Sequence, residues 1–313
     1  MPDKEDLLLV NNFHPETISL LEAQYRTHKL WECPVAERAQ LINSLNGQCR
    51  AVATASWACD PLVYELESLQ IISAFGVGVD GIDFQKTAAA GVQVTNTPDV
   101  LDDAVADIAI GLVLATTRNL VAADNFVRAG QWQNGPFPFG KGLAGKTLGI
   151  LGMGRIGEAI AARALPFKLQ IAYHNRNKKN LPYTYCESAS ALARHSDILL
   201  CMLPGGAATE KVINADLLAE LGAEGIFINV GRGTSVDEDA LVEALENNTI
   251  AGAGLDVYRV EPDVPAGLIK SSKAVLFPHI GSATVETRRA MGRLVIDNLA
   301  AYFTAKPLLT PVE

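Results

Sequence analysis

The chain has 313 residues, 49% of them hydrophobic, and a formal net charge of −9. That length predicts two domains rather than one core. The acidic balance excludes a general affinity for nucleic acid or anionic membrane surfaces, so any anion site must be local. The five cysteines, Cys33, Cys49, Cys59, Cys186 and Cys201, form no C-x-x-C pair. They predict free thiols in a reducing compartment, and no metal site is expected.

The N-terminal MPDKEDLLLVNNF puts four charges in its first six residues, then a short apolar run. The run is too short for a signal sequence and reads as a first buried strand. Nowhere does an uninterrupted apolar stretch approach the length of a membrane span, so a cytoplasmic protein is expected. A helix is predicted around residues 15–26. Strands follow at AVATAS (51–56), QIISAFG (70–76) and VQVTNTP (92–98), with helices around 61–69 and 83–90 between them. Short Val- and Ile-rich runs alternating with amphipathic helices predict a parallel sheet with right-handed crossovers.

A helix is predicted from about Val100 to Arg118, where DDAVADIAIGLVLATTR is apolar nearly all round, and this predicts burial in a core or a subunit interface. The long segment AGQWQNGPFPFGKGLAG (129–145) needs a purpose inside a compact domain, and wrapping a partner subunit is the expectation. A second βα series opens at KTLGILGMGRIGEAIAARA (146–164). Its further strands are predicted at 169–175, 197–203, 225–231, 250–257 and 273–281, and an amphipathic helix at 284–306 closes the chain. The whole reads as α/β with two doubly wound parallel-sheet domains. Residues 1–98 and 284–313 form one, and 99–283 form a second inserted into it, with hinges near Asn96–Pro98 and Gly281–Thr284.

Within the second series, an apolar strand, Gly152-x-Gly154-x-x-Gly157 and a helix stand in the order of a dinucleotide-binding turn, with Met153, Arg155 and Ile156 between the glycines. Gly152 permits the tight turn, Gly154 lets the backbone approach a pyrophosphate, and Gly157 allows close helix packing. The helix N-terminus supplies N–H donors and positive dipole. Some twenty residues on, YHNRNKK (173–179) stands where an acid would accept the ribose hydroxyls of NAD. Asn175, Arg176 and Lys178 reverse that preference and predict a grip on a 2′-phosphate, hence NADP(H) over NAD(H). A charge run is more often plain solvated surface, but this one falls on the expected strand end. Lys179 is assigned to solvent.

Arg232 in NVGRG, Glu261 in YRVEP and His279 in LFPHIG lie at, or just beyond, the C-terminal ends of predicted strands, where open α/β sheets place their chemistry. Reduction of a keto acid needs a cation for the carboxylate and carbonyl oxygen, which the fixed fork of an arginine provides. It needs a proton donor working near neutral pH, which suits a histidine, and a carboxylate to keep that donor charged and oriented. Taken singly, each of the three would pass for a surface residue or a cap.

What joins them is resemblance. GILGMGRIG, NVGRGTSVDEDALVEAL, GAGLDVYRVEP and FPHIGSATVETRRAM resemble the D-specific 2-hydroxyacid dehydrogenase family, and the similarity extends through TPDVLDDAVADIAIGLVLA and the closing PLLTPVE. The resemblance implies a Rossmann cofactor domain inserted into a flavodoxin-like substrate domain, a homodimeric habit, and a D product. It implies Arg232, Glu261 and His279 as the catalytic set. Val77 and Gly78, in the GVGVD turn (76–80), would bind the substrate carboxylate through their amides. Asp256 would hold the nicotinamide carboxamide, and Met202, Leu203, Thr209, Val230, Gly231 and Gly281 would line the cofactor beside Arg232 and His279.

The cationic YHNRNKK and GSATVETRR most resemble the NADPH-preferring glyoxylate/hydroxypyruvate reductases and their hydroxyphenylpyruvate-reducing relatives. In LPGGAATE (203–210), Gly205 and Gly206 depart from the family pattern and predict a looser cofactor loop. NADPH-dependent reduction of glyoxylate or hydroxypyruvate is therefore expected. Larger aryl pyruvates, or a non-catalytic dinucleotide-sensing role, are the alternatives. Trp57, Trp132, Phe137 and Phe139 are candidates for narrowing the pocket.

Overall fold

A computed structural model describes residues 4–57 and 59–312. Two compact units are present, Met1–Leu101 with Thr284–Glu313, and Asp102–Ala283.

The first unit is built on β1 (Asp6–Leu9), β2 (Arg26–Lys29), β3 (Ala51–Ala55), β4 (Ile71–Phe75) and β5 (Gln93–Thr95). All pair in parallel, in the order β2-β1-β3-β4-β5. Every residue of β1, β3 and β4 is buried, so these strands read in sequence as continuous apolar runs rather than alternations. Its helices are α1 (Pro15–Gln24), α2 (Arg38–Leu45) and α3 (Phe84–Ala90), joined by the chain-closing helix, which packs on β4 and α1.

Two expectations are corrected here. The helix predicted over 15–26 stops at Gln24, because Tyr25 is extended and leads into β2. That strand, RTHK, is polar because it is an edge, and Asp6 on β1 holds it through His28 at 2.6 Å and Arg26 at 3.3 Å. The helix predicted over 61–69 is only a 3-10 turn at Pro61–Glu65, ended by the extended Leu66.

The second unit contains α4 (Asp102–Thr117), α5 (Leu120–Arg128), β6 (Thr147–Leu151), α6 (Arg155–Ala164), β7 (Gln170–His174), β8 (Thr184–Tyr185) and α7 (Ala189–His195). It continues with β9 (Ile198–Cys201), α8 (Ala215–Leu221), β10 (Ile226–Asn229), α9 (Glu238–Glu246), β11 (Gly252–Leu255), α10 (Ala266–Lys270) and β12 (Ala274–Leu276). The seven strands are parallel, in the order β12-β11-β10-β9-β6-β7-β8. The chain therefore winds outward from β6 through β7 to β8, then returns to place β9 on the other side of β6. The gap between the carboxyl ends of β6 and β9, where Leu151 and Cys201 are register partners, is the topological switch point at which such sheets bind ligands.

The all-round apolar α4 is a core helix of this unit, packed on α6, β10 and β11. Arg163 of α6 locks it laterally, reaching Asp103 at 2.7 Å and Asp107 at 2.6 Å. It ends where Asn119 takes a left-handed conformation, φ 54°. The following α5 leaves Leu120, Val121 and Val127 exposed, as are Trp132 and Phe139 in the loop beyond. Among the described residues no single helix is long and apolar enough to cross a membrane. The last element is α11 (Val285–Phe303), the closing helix of the first unit.

Candidate active site

The turn after β6 is confined by its neighbour strand. Gly152 has φ +102°, and a Cβ there would lie 2.7 Å from the carbonyl oxygen of Met202, just past β9. Only glycine fits both the dihedral and the space. The turn opens into α6, where Ile156 and Gly157 sit in the first helical turn, whose amides have no intrahelical acceptor. Met202 and Leu203 after β9, and Val230 and Gly231 after β10, bring their backbones to the same strand ends. This is a cradle for a negatively charged group at a helix N-terminus, and a dinucleotide pyrophosphate fits it.

At the end of β7 the residues of the cationic run divide in their tasks. Asn175, expected on a 2′-phosphate, binds both sides of the Met153 peptide: Oδ1 accepts from the Met153 N–H at 2.6 Å, and Nδ2 donates to the Met153 carbonyl at 3.0 Å. Lys179, assigned to solvent, is instead paired with Glu158 of α6 at 2.6 Å. Lys178 stands over the Tyr185 ring, 5.5 Å from its centroid. Arg176 is exposed and has no acidic partner among the described residues. Thr209, expected to line a cofactor, turns its hydroxyl onto the carbonyls of Pro204 (2.7 Å) and Gly206 (3.0 Å). The loop that two glycines made look loose is closed by that hydroxyl.

Arg232 leaves β10 on a backbone that is pinned from below. The buried Asn229 donates to the Arg232 carbonyl at 3.1 Å and accepts from the Gly231 N–H at 3.1 Å, while Ser235 Oγ donates to the same Arg232 carbonyl at 2.7 Å. At Gly233 a Cβ would lie 1.8 Å from the carbonyl carbon of Tyr258, so the backbone of this loop rests directly on the backbone that leads to Glu261. Tyr258 in turn donates its N–H to Glu261 Oε1 at 3.1 Å and its hydroxyl to the Phe277 carbonyl at 3.0 Å. The other carboxylate oxygen, Glu261 Oε2, meets His279 Nδ1 at 2.7 Å.

His279 has φ +54°, a conformation uncommon for a residue with a side chain. Asp256, 2% exposed, holds the turn beyond it, accepting from the Ile280 and Gly281 amides at 2.7 Å each. Burial pushes the Asp256 carboxyl above its usual range, although those two amides pull the other way. Burial also pushes Glu261 up, but the His279 hydrogen bond and charge, the Tyr258 amide and the Arg232 charge outweigh it. They hold the Glu261 carboxyl below its usual range. Glu261 is thus an anion at neutral pH and can only accept, so His279 Nδ1 carries the hydrogen in this bond. A guanidinium, a carboxylate–imidazole pair and an anion cradle on one sheet can bind a carboxylate, move a proton and hold a dinucleotide.

The model for the D-isomer specific 2-hydroxyacid dehydrogenase NAD binding domain matches residues 110–281. The chain belongs to this family. It is 45% identical over 298 residues to a hydroxyphenylpyruvate reductase of Plectranthus scutellarioides, spanning 93% of this chain and 94% of that one. It is 44% identical over 295 residues to a glyoxylate/hydroxypyruvate reductase of Arabidopsis thaliana, at the same coverages. Among solved structures, an NADPH-dependent glyoxylate/hydroxypyruvate reductase of Sinorhizobium meliloti, in complex with NADP and malonate, superposes with a TM-score of 0.90. The two share 42% identity, covering 99% of this chain and 97% of that one. The chain is a 2-hydroxyacid dehydrogenase oxidoreductase with an NAD(P)-binding domain.

The first unit carries the remaining residues expected from the family resemblance. After β4, Gly76 donates to Thr97 Oγ1 at 2.9 Å, and Asn96 Nδ2 donates to the Val77 carbonyl at 2.8 Å. These bonds fix the 76–80 turn through groups other than the Val77 and Gly78 amides, which have no acceptor among the described residues. Trp57 lies beside this turn, its ring 3.6 Å from where a Cβ on Gly76 would stand. In the second unit Phe137 packs edge-on against Phe126, with ring centroids 5.3 Å apart. The supporting residues Asn229, Ser235 and Tyr258 were not singled out from sequence. Asn229 and Ser235 do flank the Arg232 motif in NVGRGTS, the only signal that could have found them.

Replacing Gly233 with alanine forces the Arg232 and Glu261 loops apart. A loss of about 1–3 kcal/mol in denaturant melts is expected, with turnover lower by roughly a hundredfold from misplacement of the two groups. Wild-type stability and turnover together would contradict the crossing.

Proposed function

We propose that the protein is an NADPH-dependent reductase of small 2-keto acids, glyoxylate and hydroxypyruvate first, yielding D-2-hydroxy acids. The observation that carries the cofactor choice is the end of β7. There Asn175 and the exposed Arg176 stand in place of an acid, and among the described residues no carboxylate neutralises Arg176. The Glu261–His279 bond of 2.7 Å supports the chemistry. Arg176 and Lys178 take the 2′-phosphate, the first-turn amides of α6 the pyrophosphate, and Met202, Leu203, Val230 and Gly231 line the remainder. Asp256 keeps carboxylate lone pairs beyond those given to Ile280 and Gly281, which suit the amide of a nicotinamide.

When bound, the dinucleotide supplies the hydride. Arg232 binds the carboxylate and carbonyl oxygen of the keto acid. His279, protonated, gives the Nε2 proton to the carbonyl oxygen as it becomes a hydroxyl. Glu261 fixes the ring through Nδ1 and offsets the imidazolium charge. The relative solved with NADP and malonate, a small dicarboxylate, supports this reading. The 45% identity to a hydroxyphenylpyruvate reductase favours a second one, reduction of larger aryl pyruvates by the same residues. Homodimerisation is proposed from the exposed apolar face of α5 and the aromatic loop after it. A reducing, cytoplasmic setting is proposed from five free cysteines.

His279→Ala is expected to lower turnover by roughly 10²–10⁴-fold, while calorimetry shows NADPH affinity largely unchanged. Unchanged turnover would remove His279 from the mechanism. Arg176→Asp is expected to lower the NADPH-to-NADH ratio of kcat/KM by at least roughly tenfold, the equivalent of one hydrogen bond to a charged group. An unchanged ratio would return Arg176 to plain surface.

A further inference from the structure

We propose that Asn175 is a positioning residue that staples the glycine turn and does not touch the 2′-phosphate. The inference rests on the reading of this turn as the dinucleotide cradle. Met153 is the middle residue of the turn, between Gly152 and Gly154, and its side chain is fully buried. Its peptide N–H and carbonyl both face the end of β7, where the planar amide of Asn175 meets them at 2.6 and 3.0 Å. Only one orientation of that amide satisfies both groups, since the N–H needs an acceptor and the carbonyl a donor.

The rest of the turn is equally committed. Gly152 N–H donates to the His174 carbonyl (3.1 Å), Gly154 N–H to the Gly152 carbonyl (3.0 Å) and Glu158 N–H to the Gly154 carbonyl (2.9 Å). The turn is therefore held in shape by the protein's own bonds, with the first-turn amides of α6 left for an anion. The staple also sets where the cationic loop begins. The Asn175 carbonyl accepts from Tyr185 Oη at 3.3 Å, and the Tyr173 hydroxyl donates to the Lys179 carbonyl at 2.8 Å while accepting from its N–H at 3.1 Å. Arg176 starts one residue past a fixed point. The two Met153 bonds fix the plane of the amide, and turning it toward a phosphate would break one of them, which leaves only the second Nδ2 hydrogen uncommitted.

A carboxylate cannot do the same work. It could accept from the Met153 N–H, but its second oxygen would face the Met153 carbonyl with no proton between them. An acid at this position, the usual device for selecting NAD, would break the staple rather than convert the specificity. Selection for the phosphate then belongs to Arg176 and Lys178, and Asn175 contributes the shape of the turn and the absence of charge.

The test compares adenosine 2′,5′-bisphosphate with adenosine 5′-monophosphate by calorimetry, since the two differ only in the 2′-phosphate. It adds amide hydrogen exchange of residues 151–157 without ligand. In Asn175→Ala, faster exchange is expected, with both ligands weakened by a similar factor of about tenfold and their affinity ratio held within about twofold of wild type. Asn175→Asp should also exchange faster and should gain no affinity for the monophosphate. Arg176→Ala should leave exchange unchanged and collapse the ratio. The proposal is overturned if Asn175→Ala leaves exchange unchanged, or lowers the ratio as far as Arg176→Ala does. If the wild type itself binds both ligands equally, the NADPH reading fails, and the exchange result still decides the staple.

Discussion

The bond between Glu261 Oε2 and His279 Nδ1 joins side chains from two separate loops, and its 2.7 Å length depends on backbones held in register beneath it. Asn229 pins the Arg232 loop, Gly233 lets that loop lie on the Tyr258–Arg259 backbone, and Tyr258 passes the constraint to Glu261 through its own N–H. Asp256 fixes the far side, holding the two amides after a left-handed His279. Asn229 also accepts the Asp256 N–H at its carbonyl, 3.0 Å away, so the two buried supports belong to one network. Buried polar groups that are mutually satisfied rigidify a site, and a proton donor set in advance needs little reorganisation during reaction.

The same economy governs the charges. A protein of net charge −9 repels anions at long range, so an anion site must be assembled locally from backbone amides and a few cations. The run Asn175–Lys179 does this selectively. Glu158 neutralises Lys179, while Lys178 rests on an aromatic ring and Arg176 remains exposed. Specificity between two dinucleotides is a difference of affinities. In the proposed reading it comes from what β7 ends with and equally from the carboxylate it lacks.

Much of this was legible in the residues because parallel strands buried on both faces leave continuous apolar runs, as in LLL of β1 and ILLC of β9. The edge strand RTHK was not legible, since its pairing rests on ion pairs to Asp6 and not on burial. The two-residue β8 is too short for any pattern to show. The fingerprint turn could be found because a strand end fixes its location, whereas the Arg–Glu–His set needed the family resemblance to join three residues near strand ends. The bonds of Asn175, Thr209 and Lys179 could not. Position along a strand tells what a side chain can reach, whereas its partner depends on which neighbouring group arrives first in three dimensions: the Met153 peptide, the Pro204 carbonyl and Glu158. The supports Asn229 and Tyr258 lay hidden for the same reason, as they act only through backbone that sequence does not display.

The most direct measurement is the initial rate of NADPH and NADH oxidation by the wild-type protein with glyoxylate, hydroxypyruvate and hydroxyphenylpyruvate. Turnover with keto acids is expected, with a kcat/KM at least roughly tenfold higher with NADPH and the two small acids ahead of the aryl one. Oxidation of neither cofactor with any of the three acids would contradict that expectation, and the chain would then be a dinucleotide-binding protein without this chemistry.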